Sequence, residues 1–168
     1  MIEHVTDPDD TRVPFVRTLL PVWLVVAVWD FVCATALHVF AYHGAPARLW
    51  QGVAATVLGP RALDGGATAL AVGLTLHLAV SLVWSALFVA ALQAWPALRR
   101  AIRNPGGAFM VAVAYGPVIW LVMSLVVIPL ATGQPPRFGH RWWVQLGVHV
   151  PFVTIPLVFT ARRVLRRR

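Results

Sequence analysis

Lysine is absent from this chain, cysteine occurs once, at Cys33, and only six residues are acidic, four of them within the first ten positions. A single cysteine excludes an internal disulfide. Set in an apolar run, Cys33 reads as a small buried hydrophobe, because such surroundings disfavour the thiolate. So few carboxylates exclude paired-carboxylate chemistry, and the patterns GxSxG, GxGxxG and HExxH do not occur. Charged residues amount to 12%, about half the usual share of about 25%.

What fills the space is apolar. Hydrophobic residues make up 59% of the 168 positions, against about 45–50% in soluble chains. One domain of this size cannot hide that much apolar surface from water. Four segments approach the roughly 20 residues that cross a bilayer, at about 19–41, 67–91, 108–131 and 142–160. All four must be helices, since a lone strand in lipid leaves its backbone unsatisfied. The first resists a signal-peptide reading: it is too long, carries Asp30, and follows an acidic head of Glu3, Asp7, Asp9 and Asp10. The expected fold is therefore an all-α integral membrane protein, a four-transmembrane-helix bundle. An N-terminal arm at 1–18 precedes a single membrane domain at 19–161, and an arginine-rich tail closes the chain at 162–168. The segment 47–58 is too short to span. With Leu49, Val53, Val57 and Leu58 on one stripe, it reads as a helix lying in the outer interface or re-entering slightly. Arg61 and Asp64, three residues apart, are placed to pair.

The formal charge of +8 comes from arginine alone. These arginines sit at the ends of apolar runs, not along an amphipathic face interleaved with aromatics, which argues against nucleic acid. Arg12, Arg17, Arg99, Arg100, Arg103, Arg162, Arg163, Arg166, Arg167 and Arg168 fall on one face of the expected topology. Arg48, Arg61, Arg137 and Arg141 fall on the other. The positive-inside rule then places both termini in the cytoplasm, and the clusters at 99–103 and 162–168 against anionic headgroups.

Polar residues inside the apolar runs are the functional candidates, since lipid punishes an unsatisfied ionisable group. They are Asp30, His38, His77, Ser81, Ser124 and His149. At about 1.5 Å per residue, Asp30 and His77 lie at matching depths of about 16 Å and 15 Å from the outer side, which predicts an Asp30–His77 hydrogen bond. Gly73, His77, Ser81, Trp84 and Phe88 recur at helical spacing on the second helix, and the small ones permit close approach. Gln145 and His149 stand one turn apart on the fourth. Pro117, Pro129, Pro151 and Pro156 should bend the third and fourth helices.

Three readings follow. Asp30, His77 and Ser81 are interhelical fasteners in a small non-enzymatic accessory protein, working with membrane-protein partners or as a homo-oligomer. Alternatively His77, His149 and His38 bind a haem, a pigment or a metal. In the third, Asp30 and His77 form the protonatable pair of a small-molecule carrier.

The segments GGATALAVGLTLHLAVSLVWSALF (65–88), YGPVIWLVMSLVVIPL (115–130) and HVPFVTIPLVF (149–159) carry a resemblance. The chain resembles the small four-helix bacterial inner-membrane proteins related to the YagU-like group. That resemblance implies a glycine–histidine–serine ladder on the second helix, at Gly73, His77 and Ser81, and location in the inner membrane. It implies no activity.

Overall fold

In a computed structural model describing residues 14–167, the chain is helical apart from short connections, with no strand among the described residues. Glu3, Asp7, Asp9, Asp10, Arg12 and Arg168 lie outside the described residues. Helix α1 (Phe15–Ala36) is prolonged by a π-helical turn, Leu37–Ala41. A short α2 (Pro46–Leu58) and a 3₁₀ turn (Pro60–Asp64) lead into α3 (Gly66–Ala94) and then α4 (Pro96–Arg103). Next come α5 (Pro105–Val122), a π turn (Met123–Val127) and α6 (Ile128–Thr132). Last come α7 (His140–His149), a π turn (Val150–Thr154) and α8 (Ile155–Arg166).

These pieces make four continuous long helices, Phe15–Ala41, Gly66–Ala94, Pro105–Thr132 and His140–Arg166, each long and apolar enough to cross a membrane. The last runs six residues past the expected end at 160. Hydropathy marks only the apolar part of a helix, whereas arginine is a good helix former and carries the winding on. Between 11% and 28% of each helix's most apolar window is buried inside the protein, so most of that apolar surface faces outward.

The helices run alternately up and down. At one end Arg162 Nε donates to the Arg103 carbonyl at 3.3 Å. At the other, the Arg141 guanidinium lies 4.4 Å over the Tyr42 ring. The connection at the first end, expected as a loop, contains α4. Asn104 starts the next helix, its side chain accepting from Gly107 N–H at 2.6 Å with Pro105 in the first turn. Arg99 Nη1 donates to the Leu92 and Gln93 carbonyls at 3.0 and 2.9 Å, satisfying the frayed end of α3.

A repeat not evident from hydropathy governs the third and fourth long helices. Each has a five-residue π turn followed by Ile-Pro-Leu, at 123–130 and at 150–157. Proline has no N–H to return to the carbonyl four residues back. In both helices the residue before it reaches five back, which widens the turn ahead of the proline ring: Ile128 N–H to Met123 O, and Ile155 N–H to Val150 O.

The α2 segment packs in against the second long helix. Trp50 is 4% exposed and sits between Phe31 and His77, with ring centroids 5.0 Å from each. A Cβ on Gly73 would collide with the Trp50 carbonyl. Gly73 lies seven residues inside α3, or roughly 10 Å along its axis, so α2 is wedged between the long helices. What brings it in is the Trp50/Ala54 edge, with its backbone approach allowed by Gly73. The expected Arg61–Asp64 pair is replaced. Asp64 meets Arg48 Nη2 at 3.5 Å while Arg48 Nη1 bonds the Leu63 carbonyl at 2.9 Å, because the 3₁₀ turn folds back on the start of α2.

One core, including Val22, Val26, Phe88, Leu92, Ala112, Ile119, Leu157 and Val158, fills the arginine-rich end. A smaller alanine cluster, Ala54, Ala62 and Ala69, seats α2 at the other. The first long helix packs on the second and fourth, and the third on the fourth. The second and third, though consecutive, meet through large side chains. Tyr115 packs on Trp84 and Phe88 at 6.1 and 5.4 Å between centroids and donates to the Trp84 carbonyl at 3.0 Å.

Candidate functional site

Bulky spacers between two helices leave room beyond them, and the space is a cavity of about 360 Å³. All four long helices and α2 contribute to its wall. Its polar groups are Asp30 from α1, Thr56 from α2, His77 and Ser81 from α3, and His149 from the fourth long helix. Around them lie Val26, Val53, Val80, Ile119, Met123 and Val153, with Trp84 and Trp120. Among the described residues, no arginine lines it.

The hydrogen bonds fix the histidine tautomers. His77 Nε2 lies 3.1 Å from the Ala27 carbonyl, which can only accept, so Nε2 carries a proton. Its Nδ1 stands 3.7 Å from Asp30 Oδ2. That is an ion-pair separation, beyond hydrogen-bond reach, so the expected Asp30–His77 hydrogen bond is not made. The imidazole is held by the α1 backbone instead, and the carboxyl is left beside it, facing the cavity. On the fourth long helix His149 Nδ1 donates to the Gln145 carbonyl at 2.6 Å. Its Nε2 is then the acceptor nitrogen. The Gln145–His149 relation read from spacing is thus made by backbone, one turn back, not by the glutamine side chain.

Ser81 donates to the Leu78 carbonyl at 3.0 Å and accepts from Trp23 Nε1 at 3.2 Å. Trp23 Nε1 also reaches the Leu78 carbonyl at 3.0 Å, tying α1 to α3. Ser81 is therefore occupied as a fastener on the cavity wall. His38 and Ser124 do not join the group: neither lines the cavity, and His38 Nε2 and Ser124 Oγ are buried without a partner. His38 packs against Gly44 at the end of the first long helix, while Ser124 falls in the π turn of the third. Among the described residues, no three His, Cys, Asp or Glu side chains converge as a metal-holding group.

Several residues with clear parts to play carry no polar signal in a hydropathy reading. Trp23 falls two turns before Asp30 on the same face of α1, a position that could have pointed to it. Trp120 packs on His149 at 5.0 Å between centroids. Thr154 Oγ1 donates to the Ala112 carbonyl at 2.7 Å, beside Gly116, whose missing Cβ lets Val150 and Thr154 approach. In sequence Thr154 is one hydroxyl in an aliphatic run, and only the π turn aims it at α5.

The polar arrangement sets a carboxyl 3.7 Å from the imidazole Nδ1 and adds the acceptor nitrogen of His149, inside an otherwise apolar and aromatic chamber. No family model, curated protein or solved structure matches this chain.

Proposed function

We propose that the chain is a multi-pass membrane protein whose four spans form a bundle around a binding chamber for a small, largely apolar molecule bearing one polar group. One observation carries this reading: a cavity of about 360 Å³ bounded by every long helix, with Asp30, His77 and His149 in its wall. Small-molecule sites have that size and that mixture of apolar lining with a few placed polar groups. An accessory role explains the arginine-capped ends but gives no reason for Asp30 to face an open space. The outward apolar faces support membrane insertion, since exposed surface of that kind is what soluble monomers avoid. The arginine excess at the end shared by α4 and the close of α8 supports a cytoplasmic location for both termini and, in a bacterium, the inner membrane. Nothing in this reading draws on the resemblance to the YagU-like group, which rests on three short apolar segments.

The test is binding of 2-phenylethanol to protein in lipid nanodiscs, followed by tryptophan fluorescence, since Trp84 and Trp120 line the chamber. Saturable quenching by the wild type, abolished when Val80→Trp fills the space, is expected. Quenching that grows linearly and equally in both proteins, as for partition into lipid, overturns the reading.

A further inference from the structure

The charge balance of the chamber points further, resting on the binding role just proposed. We infer that the chamber takes a lipophilic amine in its protonated form, the cation replacing a proton carried at the Asp30–His77 site. The groups that face the carboxyl decide this. Asp30 and Cys33 come from α1, His77 from α3 and His149 from α7. The α2, α5 and α6 lining supplies only Val53, Thr56, Val57, Ile119, Trp120, Ile128 and Ala131, with Met123 and Val127 from the π turn between the last two helices, and none of these titrates. Among the described residues, no arginine lines the chamber to neutralise a carboxylate or to receive an anion.

In the empty chamber the site is neutral overall. Nε2 of His77 keeps its proton on the Ala27 carbonyl, and the Asp30 carboxyl, with no cationic side chain in the lining to balance a carboxylate, keeps its own. Burying a net charge at this depth is costly, so a cation can enter only as that proton leaves. The exchange balances: R–NH₃⁺ plus the protonated pair gives the ammonium held by the carboxylate and neutral His77, plus H⁺ released. No covalent bond forms. In the bound state the ammonium N–H groups donate to the Asp30 carboxylate and to His149 Nε2, whose other nitrogen is committed to Gln145. Trp84 and Trp120 add aromatic faces, which attract cations and repel anions. A carboxylate would bring an uncompensated negative charge against the Asp30 carboxyl and the His149 lone pair, and a neutral alcohol would leave the proton where it is.

The experiment compares three probes of similar size on nanodisc-embedded protein: 2-phenylethylamine, 2-phenylethanol and 3-phenylpropionate. The amine is expected to bind at least tenfold tighter than the alcohol, and the acid weakest. By proton linkage, amine affinity tightens about tenfold per pH unit while the pair holds its proton, and a weakly buffered sample releases about one proton per amine bound. The alcohol shows neither effect. Asp30→Asn keeps alcohol binding and loses the amine preference, and His149→Phe weakens the amine alone. If no probe binds saturably, the chamber reading itself fails. If the alcohol binds as tightly as the amine, or amine affinity is flat with pH, the chamber stands and the amine assignment is overturned.

Discussion

His77 ties the first and second long helices through its Nε2–H on the Ala27 carbonyl at 3.1 Å, while the neighbouring Asp30 carboxyl stays 3.7 Å away. Fastening and chemistry are thereby divided between two residues that sequence reading treats as one pair.

That division predicts unequal substitutions. His77→Leu loses an interhelical hydrogen bond, worth about 0.6 kcal/mol on average in membranes, and an edge contact with Trp50 worth about 0.5–1.5 kcal/mol. At about 2–4 °C per kcal/mol for a chain this size, the melting temperature should fall by about 2–8 °C. Asp30→Asn, which alters only the looser contact, should move it by less than about 2 °C. Equal losses in a thermal melt would mean that the carboxyl is the fastener.

The seating of α2 depends on one missing methyl group. Gly73→Val drives a branched side chain into the Trp50 carbonyl and the Ala54 N–H, and overpacking of this kind costs about 1–3 kcal/mol or more. The expected outcome is a drop of about 2–12 °C in melting temperature, with a red-shifted tryptophan emission as Trp50 leaves its place between Phe31 and His77. Gly52→Val, on the same short helix with open space around it, is the control and should be nearly silent. A silent Gly73→Val would show that α2 is not wedged there.

The sequence announces the four long helices because lipid-scale hydropathy needs no tertiary information, and it aligns Asp30 with His77 because a helix has a constant rise. It does not show that His77 bonds a carbonyl, since backbone acceptors are the same at every position. Nor does it show the chamber. That space exists because Tyr115, Trp84 and Phe88 hold the second and third long helices apart, and bulk at a seam reads the same as bulk facing lipid. The placement of α2 depends on Gly73 meeting a backbone from another element, a contact that no local pattern encodes. Thr154 is hidden for a different reason. A π turn rotates residues after it relative to α-helical spacing, so any face drawn at 3.6 residues per turn is wrong beyond Val150.

Thr154 gives the third prediction. Its hydroxyl donates to the Ala112 carbonyl at 2.7 Å and is fully buried. Thr154→Val keeps the shape and removes the donor, which should cost about 0.6–1.7 kcal/mol. Thr154→Ser keeps the donor and should recover most of that loss. Chemical denaturation in mixed micelles separates the two. A serine variant as weak as the valine one would assign the effect to the γ-methyl group instead.

Topology is the remaining consequence, and it tests membrane insertion directly. Arg103 and Arg162 meet at one end, Tyr42 and Arg141 at the other, so Arg100 and Gln134 lie on opposite sides of any membrane the long helices cross. In a Cys33→Ser background, Gln134→Cys should react with a membrane-impermeant maleimide added to intact cells or spheroplasts. Arg100→Cys should react only after permeabilisation if the arginine-rich end is cytoplasmic, as proposed above from the positive-inside rule. Exposure of both from the same side would be incompatible with an odd number of crossings between residues 100 and 134. The reverse pattern would keep the four crossings and invert the orientation, placing the α2 end of the chamber toward the cytoplasm.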